Sequence, residues 1–414
     1  MRDPAQILDT GADTSDDASR FRPKPRTERE GIALCLSGGG FRAALFHLGG
    51  LRRLNELGIL AKLDVISSVS GGSIIAAHLA DRLRPWPAGV IEDFDARVAA
   101  PFRDFTARNL RTGPILKRLL PWNWLRSSTG VEALARAYED RLTGLRLTDL
   151  PDVPVFLINA TDMAFGVNWV FERRRIGSYL AGYLRPAPSW PLARAVAASS
   201  CFPPIFNPMP IGLRPEELKG GKARHGAARD EAVRGLRLTD GGAYDNLGLE
   251  PVWKRARVLL VSDGGGTFDA EPDASLIWRL SRYTDILNNQ VGAVRRRWLI
   301  AGFLTGEFEG TYWGNASVAA HYRRNPPAAY SEALVDEVLS EIRTDMDAFS
   351  EAEQKVLENH GYILADVAVR QHVADLAAPG AAPFRVPFPA WMDEITVREA
   401  LRGSHQRKLP LGRR

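Results

Sequence analysis

Two hydrophobic rhythms alternate along the chain. Ile32 to Leu36 are all apolar and are followed by Ser37, Gly38, Gly39 and Gly40, which predicts a short buried strand ending in a glycine turn. From Phe41 the spacing changes. Leu45, Leu48, Leu51, Leu54 and Leu57 recur at helical intervals until Gly58 offers a C-terminal stop. The unit then repeats: Leu63 to Val69 predicts a second strand, Ser70 a turn, and Gly71 to Ala80 the start of a small-residue helix. Further strands are expected at Val153 to Asn159, Leu236 to Thr239 and Arg257 to Ser262, with helices between them. The fold class that follows is α/β, a three-layer α/β/α sandwich with a mainly parallel central sheet.

Other stretches leave this rhythm. Residues 85–150 are rich in Arg, Pro, Trp and Leu and predict a helical insertion over one end of the sheet. Residues 212–234 are polar and charged and predict a surface loop. Ser275 to Leu299 and Ser331 to Phe349 each predict a long amphipathic helix, and Ser350 with Glu353 forms a capping box opening another toward Arg370. The expected organisation is a mobile tail over 1–30, a catalytic α/β domain over 31–270 and a mainly helical extension over 271–414.

At 45% hydrophobic and 25% charged residues, the 414-residue chain excludes global disorder and a membrane-spanning bundle. The formal charge of +5 favours anionic surfaces such as phospholipid head groups, but the excess is small for this length and no nucleic-acid partner is expected. Cys35 and Cys201 both lie in apolar stretches, which predicts burial and a reducing compartment. Met1 to Glu30 holds no apolar core of a secretory signal. The expected location is cytoplasmic, with contact at a membrane surface.

Chemistry concentrates at three turns. Ser68-Val69-Ser70-Gly71-Gly72 supplies the small neighbours that a nucleophilic serine needs on a tight strand-to-helix turn, with Ser68 where G-x-S-x-G has glycine. Ser67, Ser68 and Ser73 are competing hydroxyls, but none directly precedes a glycine at the helix start. Histidine is the usual base, yet His47 and His78 fall inside predicted helices, His225 in the surface loop, and His321, His360, His372 and His405 in C-terminal segments. Asp240-Gly241-Gly242 and Asp263-Gly264-Gly265 each follow a predicted strand, and a carboxylate there could take a proton directly. The tripeptide does not choose between them. Gly38, Gly39 and Gly40 at a helix start form a nest for an oxyanion or a phosphate; Gly38, Gly40 and Ala43 also fit a dinucleotide fingerprint, with Asp64 as ribose ligand.

Ser37 to Arg42, Ser68 to Gly72 and Asp240 to Gly242, in this order, resemble the patatin-like phospholipase family, as do Ala198 to Phe206 and Tyr244 to Gly248. The resemblance implies a patatin-like fold and a Ser70 nucleophile with Asp240 as its base. It also implies an oxyanion hole from Gly38, Gly39 and Gly40 with Arg42 close by. The implied activity is hydrolysis of acyl esters of phospholipids or related lipids, without a metal or organic cofactor. Two other readings stand beside it: a nucleotide-binding protein using the Gly38–Ala43 turn, and an inactive lipid-binding protein. Trp122 and Trp124, with Lys117, Arg118 and Arg126, are a candidate membrane-facing patch, since indole rings favour the head-group level and cations favour anionic lipid.

Overall fold

The first strand, β1 (Ile32–Leu36), is apolar throughout because both of its faces are covered. In the computed structural model, which describes residues 29–119, 128–187, 189–203, 205–266, 276–323 and 326–406, it lies between two parallel neighbours, β2 (Val65–Val69) and β9 (Val258–Asp263). Leu34 and Leu36 enter the larger core, whereas Ala33 and Cys35 enter a smaller one on the other face. Continuous rather than alternating hydrophobicity is the signature of such a strand.

Five strands form the parallel centre in the order β10 (Glu309–Gly314), β9, β1, β2, β3 (Val155–Asp162). The sheet then continues antiparallel through β4 (Val167–Phe171), β5 (Ile176–Ser178) and β6 (Gly182–Leu184). A side branch adds β8 (Arg237–Asp240) antiparallel to β3, and β7 (Met209–Pro210) antiparallel to β8. The expected α/β sandwich is present, with antiparallel strands at one edge that the sequence pattern did not reveal.

One face of the sheet carries α1 (Gly40–Glu56), α2 (Gly71–Arg82) and α6 (Leu192–Ser200), with α10 (Glu351–His372) packed along α1. The insertion contributes α3 (Ala100–Thr106), α4 (Thr112–Leu119) and α5 (Thr129–Arg141) to the same side. A short helix, α8 (Gly242–Asp245), follows β8, and the opposite face is covered by turns from Leu247 to Ala256 and by α9 (Leu276–Leu304), through Trp253, Trp298, Leu299 and Phe308. Residues after 271 therefore supply both an edge strand and a helix of the main core. Among the described residues no helix is long and apolar enough to cross a membrane. Trp122, Trp124 and Arg126 lie outside the described residues.

Two expectations change. The 212–234 segment contains an eight-residue helix, α7 (Ala227–Arg234), between Gly226 and Gly235, whose Arg229 and Val233 are buried. The helix expected from Ser331 to Phe349 ends at Leu339. Beyond it, the carbonyls of Ser340 and Ile342 accept hydrogen bonds from the Arg42 guanidinium at 3.2 and 2.7 Å, and Arg343 is held by Asp347 and Glu353. Carbonyls bound sideways to a buried arginine are not available to extend a helix. Ser350 and Glu353 then form the expected reciprocal capping box.

α1 and α10 cross at two glycines. A Cβ on Gly49 would stand 1.9 Å from the Glu358 carbonyl oxygen, and one on Gly361 would stand 1.9 Å from that of Phe46. Buried ion pairs flank the crossing, including Arg53 to Asp366 at 2.7 Å. We expect Gly49→Ala to lower stability by about 3 kcal/mol in chemical denaturation, since rigid backbone must move on both helices to admit one methyl group. A change below about 1 kcal/mol would show that the crossing is looser than described.

Candidate functional site

The register of two strands decides what lies at the end of the sheet. β2 ends with Val69 opposite Asn159 of β3, and β8, running the other way, ends with Asp240 opposite Ala160. Because β4 occupies the other edge of β3 over the same residues, β2 and β8 share one edge and meet end to end. The residue after Val69 is Ser70. Strand pairing alone therefore brings the Ser70 turn and the Asp240 carboxyl together.

Ser70 has φ 49° and ψ −114°, and among the described residues it is the only non-glycine with positive φ. Such a conformation is disfavoured for a residue with a Cβ and persists only where the surroundings hold it. Here the Ser70 N–H donates to Ser199 Oγ at 2.9 Å, and Ser199 Oγ donates to the Asn159 carbonyl at 2.6 Å. Ser73 Oγ lies 2.9 Å from Ser199 Oγ and donates to Ser68 Oγ at 3.1 Å. Asn159 Nδ2 donates to Ser67 Oγ and to the Ser68 carbonyl. The hydroxyls that compete with Ser70 in the sequence are thus engaged in supporting its turn. Small residues at 71 and 72 are obligatory, since a Cβ on Gly71 would stand 2.2 Å from the Gly40 carbonyl oxygen.

Asp240 is buried, accepts the Gly242 N–H at 2.7 Å and interacts with the Ser70 side chain. Burial raises its pKa from the ordinary 3.8 to about 6, against the opposing pull of the Gly242 N–H and the Ser70 hydroxyl. Asp263 is engaged elsewhere: its carboxylate takes Arg296 at 3.1 Å, the Tyr312 hydroxyl at 2.8 Å and the Gly265 N–H. His47 is buried with Nε2 2.9 Å from the Ser37 carbonyl oxygen and Nδ1 2.7 Å from Ser262 Oγ, and burial lowers its pKa to about 4. His78 bonds the Val98 carbonyl, and His360 that of Asn315. Among the described residues no histidine lines the cavity at Ser70.

That cavity has a volume of about 390 Å³ and is bounded by Gly38, Gly39, Gly40, Ser70 and Asp240 at its base. Phe202, Ile205, Phe206 and Met346 give it apolar walls. The Gly38 N–H donates to the Asn246 carbonyl at 3.1 Å, while those of Gly39 and Gly40 make no hydrogen bond among the described residues. Of the three expected donors, two thus make no hydrogen bond among the described residues. Arg42, expected beside them, turns away: its guanidinium reaches the carbonyls of Gly264, Ser340 and Ile342, and it is not among the residues lining the cavity. Asp64, the ribose ligand of the nucleotide reading, precedes β2 and accepts the Ile32 N–H, at the opposite end of the strands from the glycine turn.

Sequence reasoning missed several participants. Ser199 and Asn246 lie within stretches recognisable as supporting blocks, but no single-residue signal marks either. Asn288, Asn289 and Arg296 of α9 also line the cavity, although nothing after Gly266 carried a motif.

In fold comparison the chain is similar to human GIVD cytosolic phospholipase A2, with 14% identity, TM-score 0.39, and coverage of 59% of this chain and 47% of that one. It is similar to the same enzyme in complex with methyl gamma-linolenyl fluorophosphonate at 15% identity and TM-score 0.42, covering 91% and 59%. Similarity to VipD from Legionella pneumophila is 15% identity and TM-score 0.34, covering 84% and 67%. The chain thus spans about half the length of the first of these. No curated protein sequence matches it. The sequence model of the patatin-like phospholipase matches residues 34–253, more than half of the chain and all three motif turns, and the chain belongs to that family.

Proposed function

We propose that this protein is a serine acyl-hydrolase of lipid esters, working through a Ser70–Asp240 dyad. The observation that carries the reading is the end-to-end meeting of β2 and β8 on β3, which sets a buried carboxyl beside a serine held at φ 49° with no histidine lining the cavity among the described residues. A carboxyl with a pKa of about 6 is ionised at neutral pH yet remains basic enough to carry a proton.

The reaction follows from these positions. Asp240 accepts the Ser70 hydroxyl proton as Oγ attacks the ester carbonyl, and the oxygen that becomes negative is received by the Gly39 and Gly40 N–H groups. The C–O bond to the alcohol breaks, and protonated Asp240 returns its proton to the departing alkoxide. Water then attacks the acyl-serine, giving its proton to Asp240. Ser70 leaves with that proton restored, and the fatty acid is released. Position at the N-terminus of α2 further favours negative charge near Oγ. The mixed cavity, apolar at Phe202, Phe206 and Met346 and polar at Asn246, Asn288 and Asn289, suits an ester joining an acyl chain to a polar head. The nucleotide reading has no comparable support, since Asp64 lies at the wrong end of the sheet.

Ser70→Ala should lower kcat/KM for a soluble short-chain ester by about a thousandfold or more without lowering Tm, because the Cβ and the backbone bonds of the turn are kept. Substantial turnover by the folded variant would sink the reading. Asp240→Asn should be comparably inactive.

The ionised form of Asp240 is the active one, so kcat/KM should rise with pH through about 6 and level above it. Stability should run the other way. A carboxyl whose pKa is raised on folding from 3.8 to about 6 makes the native state bind more protons, so its contribution is full below 3.8 and is lost as pH rises through about 6. Asp240→Asn should remove that slope and leave the protein up to about 3 kcal/mol more stable at pH 7.5 in urea denaturation. An activity profile flat from pH 5 to 8, or a variant less stable than the parent at pH 7.5, would contradict this assignment of the base.

A further inference from the structure

The side-chain amide of Asn246 is closely packed and unbonded. Asn246 follows α8 and lines the Ser70 cavity, and its main-chain carbonyl is already engaged, accepting the Gly38 N–H at 3.1 Å. Two glycines make room for the side chain. A Cβ on Gly38 would stand 2.4 Å from Asn246 Oδ1 and 3.1 Å from Ser70 Cβ. One on Gly242 would stand 2.7 Å from the same oxygen and 3.0 Å from Asp240 Oδ1. Oδ1 is therefore one small gap away from the serine and another from the carboxyl. Yet neither amide atom makes a hydrogen bond among the described residues. A polar group held this closely between two glycines, with no protein partner, is placed to serve a bound molecule.

The chemistry of the two half-reactions selects that molecule. Asp240 must return a proton to the departing alkoxide and later take one from water, so the alkoxy oxygen and the water oxygen occupy the same place in turn. They differ in one respect. The alkoxy oxygen carries carbon where the water carries a second hydrogen. An amide carbonyl oxygen is purely an acceptor, so at that place it has a hydrogen to receive only when water is bound. With one hydrogen on Asp240 and the other on Oδ1, a lone pair of the water is aimed at the acyl carbon.

We propose that Asn246 Oδ1 orients the water that releases the acyl group from Ser70. The proposal rests on the Ser70–Asp240 reading and assigns a further residue to its second half-reaction. Water gives one hydrogen to Asp240 while its oxygen bonds to the acyl carbon. The bond from that carbon to Ser70 Oγ then breaks as Asp240 passes the proton to Oγ. The second hydrogen, held by Asn246 during the attack, departs on the carboxylic acid.

Steady-state hydrolysis of a soluble p-nitrophenyl ester tests this, since its leaving group departs readily and deacylation governs the rate. In Asn246→Ala, kcat and KM should fall together by at least about tenfold while kcat/KM stays within about threefold of the parent. Intact mass should show acyl-Ser70 accumulating during turnover. Phosphonylation by a fluorophosphonate, which needs no water, should keep its rate within about threefold. Asn246→Asp keeps an acceptor and loses the N–H donor, and it should recover most of the lost kcat at pH 8.5, where both carboxylates are ionised. Equal losses in kcat/KM and in phosphonylation would make Asn246 a structural or oxyanion-binding group and overturn the proposal. So would an unchanged kcat in Asn246→Ala, or an Asn246→Asp variant that acylates normally but recovers none of the turnover. A parent inert toward both the ester and the fluorophosphonate would instead remove the functional reading beneath it.

Discussion

Everything at the proposed reactive end of this molecule depends on two strands sharing one edge of β3. Val69 pairs with Asn159 and Asp240 with Ala160, neighbouring positions on the same strand, so the separation of the serine turn and the carboxyl is set by backbone hydrogen bonds rather than by long side chains. Thr161 tightens the junction by donating to the Asp240 carbonyl at 2.8 Å. This matters for the proposed dyad, because a direct carboxyl–hydroxyl pair has no imidazole to span a gap.

The same economy explains the density of small polar residues beneath Ser70. The positive φ at Ser70 costs about 1–3 kcal/mol by itself. It is opposed by the hydrogen bonds of Ser199, Ser73 and Asn159 around the turn. The glycine turn after β1 is locked in parallel fashion: Ser37 Oγ accepts the Gly264 N–H, and the Ser37 carbonyl accepts the Gly72 N–H. His47 bonds the same carbonyl from below, in an uncharged state favoured by its burial. The two turns are consequently tied into one block, in which Gly39 and Gly40 line the cavity and their N–H groups make no hydrogen bond among the described residues.

Much of this was legible in local patterns and some of it was not. The strand, glycine turn and leucine-spaced helix from Ile32 to Leu57 were readable because each has its own period and punctuation, and the turn at Ser70 because its neighbours are small. Direction was not readable: nothing in Arg237 to Asp240 tells that β8 runs against β3, yet that reversal is what delivers Asp240. Arg42 could be placed near the glycine turn but not oriented, since its carbonyl partners at Ser340 and Ile342 lie 298 and 300 residues away. β10 contains Gly310 and Gly314, which weaken a strand pattern; Gly310 is there because a Cβ would meet the Leu259 carbonyl oxygen at 2.0 Å. α9 was recognisable as a helix, but which of its sides roofs the cavity is a tertiary fact.

The central claim is that Ser70 is the nucleophile and that its reactivity depends on Asp240. Exposure of the protein to a lipid-like fluorophosphonate, followed by proteolysis and mass mapping, tests it most directly. The account predicts one phosphonylated peptide, carrying the adduct on Ser70, with labelling much slowed in Asp240→Asn. Modification of another serine such as Ser73 or Ser200, or labelling of Ser70 at an undiminished rate without the Asp240 carboxylate, would contradict it.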